Sequence, residues 1–209
     1  MEILEIKDLE TLAKKRVPKM FFDYVNSGSW TETTYNENVS DFQKIKLRQR
    51  VAIDMSNRTL ETKMINQPVS MPVAIAPTGL TGMQRADGEI LAAQAAEEFG
   101  IPYTLSTMSV CSIEAVAEKT KKPFWFQLYV MKDKKFMERL IDRAKEAKCS
   151  ALVLTLDLQL LGQRHKDLRN GLSTPPKLIP KHIDQVLTRP MWCLRMLTTN
   201  NHFFGNIVG

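Results

Sequence analysis

Cysteine is scarce, and its spacing excludes two ways of building a small protein. Cys111, Cys149 and Cys193 stand far apart, with no C-x-x-C and no Cys/His cluster at metal spacing. A disulfide framework and a zinc site are therefore not expected, and an odd, unpaired set suits a reducing compartment. No run of about 18 apolar residues occurs, so no membrane-spanning helix is expected. The opening MEILEIKDLETLAKKR lacks the long apolar core of a secretory leader, which points to the cytoplasm. Neither G-x-G-x-x-G nor G-x-x-x-x-G-K-[ST] is present, which weakens the Rossmann and P-loop readings. No Ser/His/Asp or Cys/His arrangement can be assembled. A surplus of basic charge is also limited. The formal net charge of +6 suits a phosphate-bearing cofactor, an acidic substrate or an anionic membrane face. It falls short of the dense basic stripe of a nucleic-acid binder, so no nucleic-acid partner is expected.

What is present is a soluble composition, 44% apolar and 25% charged over 209 residues, enough to bury a real core. The chain is organised around SMPVAIAPTGLTGM, residues 70–83. Val69 to Ala76 reads as a buried parallel strand, stopped by Pro77, which has no N–H for a ladder. Gly79 and Gly82 allow a sharp turn and close approach of the backbone to a neighbour. An ordinary βα loop fits the turn equally well.

Upstream, Asp8 to Asn26 reads as a helix with Asp8 as N-cap, a break at Pro18 and Gly28 as C-cap. Tyr24 shares the apolar face of Met20 and Phe21, as a core residue with its hydroxyl at the rim. Thr31 to Gln67 has no strong period and is expected to wrap the main body. Within it, KIKLRQR, residues 44–50, suits a short edge strand. Downstream follow an alanine-rich helix to Phe99 ended by Gly100, a strand at YTLST (103–107), and a helix capped by Ser112. Then come a strand at PFWFQLYV (123–130), an amphipathic helix from Lys132 to Lys148, and a strand at SALVLTL (150–156) closed by Asp157. From residue 69 the pattern is β-α-β-α-β-α-β, four parallel strands with helical crossovers. A (β/α) barrel and a doubly wound sheet both fit it. Residues 158–180 read as a long loop, and Lys181 to Thr198 as a basic, Met-rich helix interrupted by Pro190.

Polar residues end these strands in succession. Ser106 and Thr107, Gln127 and Tyr129, and Thr155 and Asp157 would all aim at one rim, beside the turn at Pro77, Thr78 and Gly79. Gln127/Tyr129 and Thr155/Asp157 are i, i+2 pairs, each on one face of its strand. Amide, hydroxyl and backbone groups suit hydrogen bonding to the edge of a heteroaromatic ring and do not suit metal chelation. Arg164, just past Asp157, offers a bidentate fork for a carboxylate, or is a surface residue. His165, His182 and His202 have no partner pattern, and His165 reads as solvated.

The blocks LRQR, SMPVAIAPTGLTGM, GIPYTLSTMSVCSIE, WFQLYV, LVLTLD, G-x-R and FGNI together resemble the FMN-dependent 2-hydroxy-acid oxidases and dehydrogenases, closest to the bacterial respiratory L-lactate branch. The resemblance implies an α/β fold, a TIM (β/α)8 barrel of which this chain carries the N-terminal half. Residues 1–68 would be the wrapping segment, 69–157 the first four strand units, and 158–209 a long loop and helix. It implies that Pro77, Thr78, Gly79, Ser106, Gln127 and Thr155 hold FMN. Tyr24, Tyr129 and Arg164 would bind the substrate, and Asp157 would orient a catalytic histidine. The implied chemistry oxidises an L-2-hydroxy acid, L-lactate, to the 2-oxo acid. Electrons would pass to a quinone or respiratory acceptor, with peripheral contact at the inner face of the cytoplasmic membrane and a homo-oligomer for the full-length form. The family's base histidine, in an S-N-H-G-G-R-type segment, has no counterpart in these residues, and Leu158-Gln159 stands where many relatives have Thr-Pro or Met-Pro. The expectation is an N-terminal portion of a longer enzyme. The alternative is a non-catalytic half-length chain that partners another half-barrel.

Overall fold

The computed structural model describes residues 2–157, 159–173, 176–177 and 179–207. The expected break at Pro18 divides the first helix into α1 (Ile6–Arg16) and α2 (Lys19–Val25). Asp8 does not cap α1. It sits one turn in, where its carboxylate accepts from the Leu4 and Glu5 N–H groups at 2.9 and 3.1 Å and so satisfies donors the helix cannot. Gly28 is likewise not the cap of α2, whose C-cap is Asn26, two residues earlier. α3 (Thr33–Ser40) and a 3-10 turn at Asp41–Lys44 follow. The expected edge strand at residues 44–50 is absent: the segment is exposed and unpaired in any sheet, because its alternating pattern has no strand beside it.

A short antiparallel hairpin, β1 (Thr62–Met64) and β2 (Gln67–Val69), comes next. It corrects the reading of one buried strand over residues 69–76. The hairpin takes Val69. Pro72 and Pro77 bracket the rest, and only Ile75 pairs, as an isolated parallel bridge to Tyr103. Val73 stays half exposed, because this segment pairs on one side only among the described residues.

α4 (Thr81–Gln84) and α5 (Gly88–Phe99) follow the turn. Asp87, in the left-handed region at φ 56°, separates them, and Gly100 at φ 78° ends α5 as expected. The sheet then runs β3 (Thr104–Ser106), β4 (Trp125–Tyr129) and β5 (Ala151–Thr155), all parallel and adjacent in the order β3-β4-β5. Three strands and a bridge thus stand where four strands were expected. The crossovers are α6 (Ile113–Lys119) and α7 (Lys134–Glu146). Ser112 caps α6 as expected, its hydroxyl accepting from Ala115 N–H at 3.1 Å.

The strand period of two sorts side chains onto two faces. Leu105, Phe126 and Leu128 point outward and pack with Ile113, Val116, Leu140 and Ala144 in the main core. The residues between them, Thr104 and Ser106, Trp125, Gln127 and Tyr129, and Val153 and Thr155, share the other face. Residues 158–180 are not one long loop. α8 (His165–Asn170) lies within them and packs on α2, while Leu158 and Pro175 fall outside the described residues. α9 (Ile183–Leu187) and α10 (Pro190–Thr198) follow, with Pro190 opening α10, where its missing N–H costs nothing. A second core joins α10 to α2 and the turn before α4. Trp192 stacks on Phe21 with ring centroids 5.9 Å apart, and its indole N–H donates to Met83 O at 2.8 Å.

Candidate functional site

Three of the expected residues form one hydrogen-bonded chain across three strands. The Ser106 hydroxyl donates to Gln127 Oε1 at 3.2 Å, and Gln127 Nε2 donates to Thr155 Oγ1 at 2.8 Å. Register explains this. Ser106 lies opposite Gln127, and Thr155 opposite Tyr129, so the Gln127 amide reaches back and forward along one face. Thr107 N–H also donates to Gln127 Oε1, at 3.2 Å, and Met108 N–H donates to Ser106 Oγ at 3.1 Å. Gln127 is 1% exposed, and these bonds fix which end of its amide is oxygen. Among the described residues, one Nε2 hydrogen and the Thr155 hydroxyl hydrogen have no acceptor and remain for a further one.

Thr107 plays a different part. Its hydroxyl donates to Gln127 O at 2.6 Å and accepts from Tyr129 N–H at 3.3 Å, which ties the ends of β3 and β4 together. The turn expected at the site lies alongside. Leu80 N–H donates to Met108 O at 3.0 Å, so the Pro77–Thr78–Gly79 turn and the loop after β3 are joined. A Cβ on Gly79 would lie 2.9 Å from the Tyr24 hydroxyl and 3.2 Å from Met108 Cβ. Only a residue without a side chain lets the turn approach Tyr24 this closely.

Tyr24 and Arg164 come together, although 140 positions separate them. The guanidinium lies over the phenol ring, 4.8 Å from its centroid. Arg164 Nη2 donates to the Tyr24 carbonyl and to Ser27 Oγ, the latter at 2.9 Å, and its Nε lies 3.0 Å from Asp167 Oδ2. Nη1 has no hydrogen-bond acceptor among the described residues. Burial raises the Tyr24 phenol above its ordinary value; Arg164 offsets part of this, while Tyr129 and Asp167 add to it. Burial also raises the Asp167 carboxyl, against the pull of Arg164. Tyr129 is raised by burial and then by the negative Asp157 facing it.

The remaining expected residues are less enclosed. Pro77, Thr78 and Asp157 are exposed, and the Thr78 hydroxyl turns back toward Ala76 O at 3.5 Å. Of the histidines, His165 stands edge-on to Trp30. His182 is fully buried, contrary to its lack of any partner pattern. Its Nδ1 accepts from Ile179 N–H at 3.3 Å, so Nε2 carries the proton it donates to Asn170 O at 2.7 Å. Asn170 in turn donates to Asp23 Oδ2 at 2.7 Å. That network holds α8 against α2 and leaves His182 no free ring nitrogen.

Two residues that the sequence reading missed reach the loop after β3. Glu89, fully buried, accepts from Val110 N–H at 2.9 Å. Asn206 accepts from Ile113 N–H and donates to Ser106 O and Ser109 Oγ. The FGNI block was visible as a match but had no assigned role.

The family model for FMN-dependent dehydrogenase matches residues 13–208. The chain belongs to that family. L-Lactate dehydrogenase from Acinetobacter baylyi is 45% identical over 208 residues, covering 99% of this chain and 54% of the relative. The solved structure of the monotopic membrane protein (S)-mandelate dehydrogenase superposes with a TM-score of 0.91 at 31% identity, covering all of this chain and 56% of that one. Lactate oxidase from Pediococcus acidilactici gives 0.79 at 29% identity, over 91% of this chain and 52% of that one. The chain spans about half the length of the curated relatives it matches. These folds are (β/α)8 barrels, so β3, β4 and β5 with α6 and α7 are successive units of the family barrel. The choice between barrel and doubly wound sheet is thereby settled.

Proposed function

We propose that this chain supplies the flavin-edge and substrate-orienting half of an FMN-dependent L-2-hydroxy-acid dehydrogenase acting on L-lactate to give pyruvate. The observation that carries the reading is the chain Ser106–Gln127–Thr155, uncharged donors and acceptors on one barrel face with two hydrogens still unspent. Such a set fits the edge of an isoalloxazine ring, and the close turn at Gly79 suits a flat group beside it. Ser106, Gln127 and Thr155 would hold that edge, and Pro77, Thr78 and Gly79 would lie against the ring. When bound, FMN would take up the hydrogen and electron pair that leave the substrate α-carbon.

The protein's own residues orient. Arg164 presents positive charge and an uncommitted Nη1 to a carboxylate, and its position is fixed by Tyr24, Ser27 and Asp167. Tyr24, held neutral by burial, and Tyr129 would direct hydroxyl protons at the same carboxylate. Asp157 would orient a histidine base, but none of the three histidines touches the Ser106–Gln127–Thr155 chain among the described residues.

A quinone or respiratory acceptor is the further reading, as is a homo-oligomer for the full-length form. Peripheral membrane contact draws support from the mandelate dehydrogenase, a monotopic membrane protein, and from Met191, Leu194, Leu197 and Phe203, exposed among basic residues. Among the described residues no helix is long and apolar enough to cross a membrane. A second reading, a chain that works only beside another half-barrel, is favoured by Leu152, Leu154 and Leu156, which are 46%, 52% and 67% exposed along β5 and beyond.

The test is an FMN titration of the chain by fluorescence quenching, followed by L-lactate under anaerobic conditions. Weak, saturable binding is expected. A Gln127→Leu substitution should weaken it about tenfold or more, the value of one buried hydrogen bond to a ligand. No bleaching by L-lactate is expected without a covering segment. Equal affinity in Gln127→Leu would overturn the flavin-edge assignment. Tight yellow flavin that L-lactate reduces would overturn the need for further residues.

A further inference from the structure

We infer that Asn206 is a positioning residue for the flavin edge. It sets the main chain of Ser106, and through it the hydroxyl that Gln127 receives. The inference rests on the reading of Ser106 and Gln127 as that edge.

Asn206 is 1% exposed, and its side chain is committed to one loop apart from a long contact at 3.5 Å from Arg143 Nη2 to its Oδ1. Its Oδ1 accepts from Ile113 N–H at 2.9 Å. Its Nδ2 donates to Ser109 Oγ at 2.9 Å and to Ser106 O at 3.3 Å. The Ser109 hydroxyl spends its own hydrogen on Cys111 O at 2.7 Å, so toward Asn206 it can only accept. The amide orientation is therefore fixed from both ends. One side chain thus caps the first turn of α6 and grips the last carbonyl of β3.

The backbone on either side is equally committed. Gly205 N–H reaches Ser109 O and Val110 O at 3.2 Å each. A Cβ on Gly205 would lie 2.6 Å from Ser112 N and 2.7 Å from Val110 O, so the segment is seated directly on the loop. Arg143 closes the arrangement from outside. It donates to Asn206 O and Gly205 O, each at 3.3 Å, while its fork is held on Glu114 at 2.7 and 2.8 Å. From inside, Glu89 takes Val110 N–H. The loop that begins at Ser106 is thus clamped between α5 and the Phe204–Ile207 segment.

The consequence is a link between two parts of the site. Residues 159–207 carry Arg164 near their start and Asn206 near their end. Arg164 is anchored on α2 through the Tyr24 carbonyl, and Asn206 is anchored on β3 through the Ser106 carbonyl. One segment therefore bears on both the substrate-side cation and the cofactor-side hydroxyl. Loss of the Asn206 amide leaves Ile113 N–H unpaired and Ser106 O with only the Ser109 N–H, at 3.1 Å, so the strand end is held less firmly.

The experiment compares the isotope-labelled chain with Asn206→Ala and Asn206→Asp, reading amide exchange, the Gln127 side-chain NH2 resonances and FMN affinity. Asn206→Asp keeps an acceptor for Ile113 N–H and loses both donors, so it separates capping from positioning. In both variants the Gln127 NH2 resonances should move, and exchange at Thr107 and Met108 should quicken about tenfold or more. FMN affinity should fall by a similar factor, with exchange in the centres of α7 and β4 unchanged. If Asn206→Asp matches the parent chain in the Gln127 resonances and in exchange at Thr107 and Met108, Asn206 is only a helix cap and the inference is overturned. Uniformly faster exchange, α7 and β4 included, would overturn it too, by showing a global and not a local role. If the parent chain itself binds no FMN while the Gln127 resonances still move, the cofactor reading fails and the control of Ser106 by Asn206 stands.

Discussion

Arg164 lies over the ring of Tyr24 and donates to the carbonyl of that same residue. The contact fixes an aromatic and a cation from two distant segments as a unit, and the unit depends on the shape of guanidinium. Lysine has no planar fork and cannot meet Tyr24 O, Ser27 Oγ and Asp167 together while covering the ring. Arg164→Lys should lower stability by about 1–3 kcal/mol, in line with loss of charge-assisted hydrogen bonds that are partly buried. A urea unfolding curve checks this, and an unchanged midpoint would remove Arg164 from the α2–α8 junction. In a form of the relatives' length, Arg164→Ala should raise KM for L-lactate more than it lowers kcat.

Gly79 should resist even a methyl group. In Gly79→Ala the new carbon would meet the Tyr24 hydroxyl at 2.9 Å, well inside van der Waals contact. The flexible partner is the phenol, so Tyr24 should turn outward. Its raised pKa comes first from burial, so exposure should bring it down toward the ordinary 10.0. An ultraviolet titration should then show one tyrosine ionising at lower pH than in the parent chain. Identical curves would mean that the turn, not Tyr24, gives way.

Much of this site was legible because strand alternation is a strict rule. Once YTLST, WFQLYV and LTLD were read as parallel neighbours, Ser106, Gln127 and Thr155 had to share a face. The Ala-rich helix with Gly100 behind it and the cap at Ser112 were local signals of the same kind. The strand over residues 69–76 failed because an apolar run reports hydrophobicity and not the number of its neighbours. Pairing on one side reduced it to a bridge at Ile75. Residues 44–50 failed for the same reason. Glu89, Asn206 and His182 were invisible because their roles lie in contacts made across the fold. Asn206 meets Ser106 from 100 positions away, and no local pattern encodes that.

The Glu114–Arg143 pair predicts a pH signature. Arg143 holds the Glu114 carboxyl down to about 2, from an ordinary 4.5. A carboxyl depressed by folding adds stability that is present above its unfolded value and lost as pH falls through its folded one. The difference in unfolding midpoint between the parent chain and Arg143→Ala should therefore shrink as pH drops from about 4.5 toward about 2. Glu114 is half exposed, so salt should reduce the difference at neutral pH. A difference independent of pH would assign the effect of Arg143 to its bonds with Gly205 and Asn206 instead.

The leucines of β5 predict how the chain behaves when concentrated. β5 pairs with β4 on one side, and among the described residues no strand pairs on the other. Leu152 and Leu154 alternate with Val153 and so stand on the outward face, the same side as the buried Phe126 and Leu128 of β4. There, α6 and α7 supply the cover that β5 lacks. An unpaired edge with an apolar face beside it invites a second strand. The chain should therefore self-associate with rising concentration, and Leu154→Glu should reduce this by placing charge at the centre of the row. Sedimentation velocity over a range of concentrations reads the result directly. A parent chain that stays monomeric throughout would mean that this face is not sticky enough to draw a partner, and the reading of a chain completed by another half-barrel would lose its main support.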